Sequence, residues 1–315
     1  MVQVTRQDVI HAAGRIEGLV ERTPLVQSEV GHVFHHLKCE CLQTGGAFKL
    51  RGASNRLLKL TEEERARGVV AFSSGNHARG VAIAARRLGI RATIVMPSDA
   101  PAVKVEGTRA EGAEIIFYDR RTESREEIAA ALAAEGGATV VPSFDDPDIV
   151  AGQGTVGLEI AAELGEQPAA VVVPCGGGGL AGGIALALPD SRIIAVEPEG
   201  WDDMRRSLDA GTIVSVPDDA PATFCDALQT PRVSPITFGI FQERGVEVVT
   251  ISDAEVEDAI RFAWKKHKLV VEPGGAVALA AVMASKVRLE EDSVIVLSGG
   301  NVDPALHARV VGEVT

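Results

Sequence analysis

From residue 68 onward the chain alternates short apolar, β-branched runs with alanine-rich stretches whose apolar positions recur at helical spacing. Residues 68–72 predict a strand, 77–88 a helix, 92–96 a strand closed by Pro97, 102–111 a helix, 114–118 a strand, 124–135 a helix and 139–141 a strand. This is a compact βαβαβαβ block that ends near Phe144. A second series follows: helix 154–164, strand 170–173, helix 180–188 and strand 192–197. After a proline- and aspartate-rich stretch at 216–221 come strand 247–251, helix 253–267, helix 276–284 and strand 293–297. Such alternation predicts a doubly wound α/β architecture. Residues 1–65 do not complete a unit alone and are assigned to the second series. The expected organisation is a large unit, residues 1–65 plus 145–315, with a smaller unit, residues 66–144, inserted in it. A ligand cleft is expected between them, at the carboxyl ends of strands.

Composition narrows the classes. The chain has 315 residues, enough for two cores, and aromatics make up only 4%, which favours helices packed on a sheet over an aromatic-rich sandwich. A formal net charge of -13, without a basic patch, argues against nucleic acid as a partner. No apolar run is long enough to cross a bilayer, and the amphipathic N-terminus lacks the apolar stretch of a signal peptide, so a cytoplasmic location is expected. Cys39 and Cys41 sit two apart in what reads as a strand. Neither these nor Cys175 and Cys225 have zinc-site spacing, and buried reduced thiols are expected. His32, His35 and His36 lack a nearby carboxylate or cysteine to complete a ligand set, so a structural role is expected.

Four motifs carry candidate chemistry. Gly176, Gly177, Gly178 and Gly179 follow the apolar run Ala170–Val173 and open a helix. With no Cβ in the way, their amides can converge on an anion at the positive end of that helix. No lysine follows at nucleoside-triphosphatase spacing. Lys49 lies between Phe48 and Leu50, close to Gly45 and Gly46. Desolvation there would lower its pKa and give an amine able to attack an aldehyde, although a lysine stem lying on the surface is an equally bland possibility. Ser73, Ser74, Gly75, Asn76 and His77 stand between a strand and a helix, where free amides suit a carboxylate and where capping alone would also account for them. Ser298, Gly299, Gly300 and Asn301 follow another strand, as a simple turn would. Together these are the parts a pyridoxal 5'-phosphate (PLP) site requires.

In these motifs the sequence resembles the fold type II PLP enzymes, specifically the serine/threonine dehydratase and serine racemase group. The resemblance runs from Thr23-Pro24-Leu25 to Val302-Asp303. It implies a fold of two doubly wound α/β domains, the smaller inserted in the larger. It also implies Lys49 as the Schiff-base lysine and proton carrier, Phe48 packed on the cofactor ring and Asn76 bonded to the ring hydroxyl. Gly176 to Gly179 would hold the phosphate and Ser298 the pyridine nitrogen. Ser73, Gly75, Asn76 and His77 would surround the substrate carboxylate, and Ser74 resembles the serine that faces the α-carbon in racemases. Glu197, Trp201 and Asp203 resemble a site for a divalent cation, Mg²⁺, Mn²⁺ or Ca²⁺. A homo-oligomer is implied, without its order.

The chain departs from the group at Gly45-Gly46-Ala47, where a Thr-Gly-Ser sequence is usual, and so loses a hydroxyl near the cofactor. The activity implied first is dehydration of L-threonine or L-serine to a keto acid and ammonia. Arg125 resembles an arginine that reaches the active site in serine racemases and, with Thr230 nearby, could receive a second carboxylate. That makes 3-hydroxyaspartate an alternative substrate, and racemisation of serine or aspartate on the same scaffold another. Arg125 could equally be a surface residue paired with Glu123 or Glu126. From a different class, a non-catalytic PLP-binding protein stands as an alternative, which the activated lysine argues against.

Overall fold

A computed structural model of the protein describes residues 4–73, 75–100, 102–119 and 121–312. The strands are β1 (Leu25–Val30), β2 (Val33–Lys38), β3 (Val69–Phe72), β4 (Ala92–Pro97), β5 (Glu114–Tyr118), β6 (Thr139–Val140), β7 (Ala170–Pro174), β8 (Arg192–Pro198), β9 (Glu247–Ile251) and β10 (Val294–Val296). The helices are α1 (Arg6–Ile16), α2 (Lys49–Leu58), α3 (Glu62–Arg67), α4 (Asn76–Leu88), α5 (Ala102–Arg109), α6 (Arg125–Gly136), α7 (Pro147–Leu164), α8 (Gly179–Ala187), α9 (Asp203–Ala210), α10 (Pro235–Arg244), α11 (Asp253–His267), α12 (Pro273–Met283) and α13 (Pro304–Val311).

The strands form two sheets. A six-stranded sheet has the order β1-β2-β10-β7-β8-β9, and a four-stranded sheet the order β5-β4-β3-β6. All pairings are parallel except β1 with β2. The βαβαβαβ block predicted between residues 68 and 144 forms the whole four-stranded sheet. Alternation along β7 shows why the larger sheet is covered on both faces. Val171 and Val173 pack with α1, α7 and α8, whereas Val172 packs with α11 and α12. Leu50, Ala53 and Leu57 of α2 pack into the core of the four-stranded sheet, although their segment follows β2 of the larger one.

Two helices begin earlier than the sequence pattern suggested: α7 starts at Pro147, not 154, and α12 at Pro273, not 276. Asp146 caps α7, accepting from the amides of Asp148 and Ile149, and proline is suited to a first helical turn. Glycines concealed these starts, because here they serve close packing and do not break the helix. A Cβ on Gly152 would lie 2.6 Å from the Gly52 Cα, and one on Gly154 would lie 2.6 Å from the Gly183 carbonyl oxygen. A second correction concerns Cys39 and Cys41. They follow β2 and do not lie within it, and Cys41 belongs to a short 3-10 helix (Glu40–Leu42). All four cysteines are free and buried. Among the described residues, no helix is long and apolar enough to cross a membrane.

Candidate active site

A cavity of about 610 Å³ is lined from both sheets. Its wall includes Phe48 and Lys49, the α4 loop (Ser73, Gly75, Asn76, His77), Arg125, the glycines 176–179, Thr230 and Ser298. The four sequence motifs therefore meet in one place. Ser74 lies outside the described residues. Glu197, Trp201 and Asp203 do not line the cavity.

Lys49 is the first residue of α2, and its Nζ donates to the Ser143 carbonyl at 3.0 Å, 5.1 Å from the Phe48 ring centroid. Burial without a counter-charge lowers its pKa to about 8. A buried ion network anchors the helix that carries it. Arg51 is fully enclosed and donates to Glu40 at 2.8 Å and to Glu159 at 2.6 and 2.9 Å. Lys38, equally buried, pairs with Glu159 at 2.8 Å and Glu163 at 3.0 Å. β2, α2 and α7 are thus tied together beneath Lys49.

The glycine loop is shaped as a cradle. Gly178 caps α8 in the left-handed region at φ 83°, so the first amides of α8 lack intrahelical partners. A Cβ on Gly177 would sit 2.3 Å from the Phe144 ring, and one on Gly178 would sit 2.8 Å from the Met204 side chain. Bulkier residues would close this space. α4 is preceded by Gly75 at its N-cap, with no side-chain cap on the helix, while Ser73 Oγ accepts from the Gly75 amide at 3.2 Å. His77 lines the cavity, and its imidazole is buried, bonds the Val141 carbonyl at 2.9 Å, and has a pKa lowered to about 3 by burial and by the charge of Lys49. Its backbone amide, in the first turn of α4, is suited to a carboxylate.

Asn301 holds the motifs in register. Its Nδ2 donates to the Gly45 carbonyl at 2.7 Å and to Asn76 Oδ1 at 2.8 Å, and its Oδ1 accepts from Arg79 at 3.0 Å. Asn76 in turn donates to Glu272. Burial, followed by the charge of Asp226, raises the pKa of Glu272 to about 7. The Lys49 segment is stitched to the loop after β10 through Phe48 N–H to the Ser298 carbonyl at 3.2 Å and Gly300 N–H to the Gly46 carbonyl at 2.8 Å. Sequence reasoning assigned no role to Asn301, Glu272 or Phe144. Asn301 stands in a motif it had singled out. Glu272 and Phe144 carry no local signal.

Arg125 lines the cavity at the start of α6, bonded to Glu126 at 2.8 Å and lying 5.5 Å from the Phe72 ring centroid. It therefore pairs with Glu126 and also lines the cavity. Thr230 Oγ1 lies 3.0 Å from where a Cβ on Gly176 would stand. Apart from the cavity, Glu197 is buried at the end of β8 and accepts from the amides of Met204 and Arg205, each at 3.0 Å. Among the described residues neither carboxylate oxygen of the buried Asp203 has a hydrogen-bond partner at bonding geometry, and burial raises its pKa to about 7. The Trp201 indole donates to the Pro221 carbonyl at 2.8 Å.

An α/β fold whose strand ends bring together an activated amine, a glycine cradle and uncapped helix amides defines an enzyme that handles a phosphate-bearing aldehyde. The family follows from sequence: residues 16–299 match the pyridoxal-phosphate dependent enzymes, and the chain belongs to that family. It is 47% identical over 315 residues to an L-threo-3-hydroxyaspartate ammonia-lyase of a Pseudomonas species, covering 96% of this chain and 97% of that protein. It is 42% identical to the L-threo-3-hydroxyaspartate ammonia-lyase of Saccharomyces cerevisiae, covering 99% and 97% of the two chains. Maize serine racemase superposes with a TM-score of 0.92 at 36% identity, over 99% of this chain and 98% of that one.

Proposed function

We propose that the protein is an ammonia-lyase that converts 3-hydroxyaspartate to a keto acid and ammonia. The observation that carries the chemistry is Lys49, a partly buried lysine of pKa about 8 that lines one cavity together with the glycine cradle. Support for the substrate comes from the Pseudomonas and Saccharomyces relatives and from Arg125 in the cavity wall. These move 3-hydroxyaspartate ahead of L-threonine and L-serine, which the sequence motifs placed first.

The residues present fit PLP. The amides of Gly176 to Gly179 and the start of α8 would receive the phosphate, Asn76 the ring hydroxyl and Ser298 the ring nitrogen, while Phe48 would flank the ring. When bound, PLP withdraws electrons from the substrate α-carbon. The first-turn amides of α4, with Ser73, bind the α-carboxylate. Lys49, neutral in an appreciable fraction near pH 8, takes the α-proton. A hydroxyl at Ser298, unlike a carboxylate, would leave the ring nitrogen without an acidic partner, which would suit elimination of the β-hydroxyl. The unpartnered Asp203 oxygens and the Glu197 carboxylate fit a hard divalent cation, with the Trp201 carbonyl as a further ligand. That ion has a structural role.

The test is a keto-acid assay on L-threonine, L-serine, D-serine and both diastereomers of 3-hydroxyaspartate. A hydroxyaspartate is expected to give the largest kcat/KM, and Lys49→Ala to abolish turnover. A clear preference for threonine or serine would overturn the substrate reading, and undiminished turnover by Lys49→Ala the chemistry. Likeness to maize serine racemase favours racemisation as a second reading, which chiral analysis of the amino acid left in the same reactions would detect as the opposite enantiomer.

A further inference from the structure

Four lysines and arginines line the cavity: Lys49, Lys104, Arg125 and Arg232. Three are engaged. Lys49 donates to the Ser143 carbonyl, Lys104 pairs with Asp226, and Arg125 pairs with Glu126 at 2.8 Å. Arg232, two residues beyond Thr230 and exposed, has no hydrogen bond or ion pair among the described residues. The other unpaired charge on the lining, Asp145, is negative and cannot hold an anion.

The anions of a bound dicarboxylic amino acid can be assigned one by one. A phosphate belongs to the glycine cradle and the α-carboxylate to the uncapped start of α4. A second carboxylate needs a cation, and the Nε of Arg125 already donates to Glu126 at 2.8 Å. A free guanidinium offers two parallel N–H donors that match a carboxylate edge. We infer that Arg232 is the specificity-determining residue of this site: it grips the distal carboxylate of an amino-dicarboxylate from the cavity mouth, with Arg125 assisting from the wall. This inference rests on the substrate class proposed above. It adds the residue that selects that class, a residue that no sequence motif singled out.

The experiment compares the holoenzyme with Arg232→Gln and Arg232→Lys. Arg232→Gln should lower the ratio of kcat/KM for L-threo-3-hydroxyaspartate over L-serine by about ten- to a hundredfold, as expected for one charge-assisted hydrogen-bonded pair, with the loss in KM. Arg232→Lys, which keeps the charge and loses the fork, should fall between. Succinate, a dicarboxylate with no amine, provides a separate readout. Its inhibition constant should weaken by a similar factor in Arg232→Gln, while that of propionate should not follow. An unchanged substrate ratio together with unchanged succinate inhibition overturns the role of Arg232. A wild-type enzyme that processes serine or threonine but no hydroxyaspartate overturns the substrate reading alone. In that case, succinate inhibition lost in Arg232→Gln still upholds the carboxylate grip, and succinate inhibition retained removes it.

Discussion

An ammonium at Lys49 has one backbone carbonyl for company and no carboxylate within bonding reach, so the group is held closer to its neutral form than an exposed lysine. The consequence is measurable in the cofactor-free protein. Its rate of capturing PLP at Lys49 should rise about tenfold per pH unit up to about pH 8 and level off above it, since the attacking species is the free amine. A rate still climbing at pH 10 would mean that the amine is not desolvated in solution. The glycine cradle was legible from its place between strand and helix, and the lysine only in combination with the other motifs, since its apolar neighbours alone suit a surface stem as well. What surrounds them was not. Asn301 meets Gly45 and Asn76 across 256 and 225 residues of chain, and Glu272 meets Asn76 across 196, so no local pattern could show those pairings. His77 shows the converse. A polar residue in the right loop turned its side chain into the core, and only burial reveals that.

Among the elements, α2 deserves its position to charge buried beneath it. Removing the Arg51 guanidinium leaves Glu40, fully enclosed, without its cation. Arg51→Met should therefore destabilise the fold by about 3–5 kcal/mol, seen as a lower midpoint in urea. A loss below about 1 kcal/mol would mean that the network relaxes or admits water. Such a network is invisible to periodicity, which reads charges as solvated. Strands with continuous apolar runs, such as β7 and β8, were legible because both faces of a parallel sheet are covered. The starts of α7 and α12 were not, since a glycine that lets two helices touch looks the same in sequence as a glycine that ends one. Nor did alternation reveal the β1–β2 hairpin, whose polar residues His35 and Lys38 are buried.

At the scale of the whole molecule, the carboxylates proposed to hold a cation lie next to the glycine loop. Asp203 begins α9, and the next residue, Met204, packs beside Gly178. Adding Mg²⁺ or Ca²⁺ to chelator-treated protein should raise its melting midpoint, with about 2.7 kcal/mol of stabilisation at a hundredfold excess over Kd, and Asp203→Asn should abolish the rise. Equal midpoints with and without the ion would remove it from the structure. The inserted order of the sheets was legible in the alternation of helices and strands, but the strand order was not. β10, the last strand of the described chain, lies in the middle of the larger sheet, hydrogen-bonded to β2 on one side and β7 on the other. During synthesis, therefore, β2 and β7 both present open edges until β10, at residues 294–296, has emerged. Both the sheet and the Asn301 junction await the same late segment. Folding of this unit is consequently dominated by long-range closure and is slow for its size, and the interval before closure is when the nascent chain is most open to pairing with the edge of another copy.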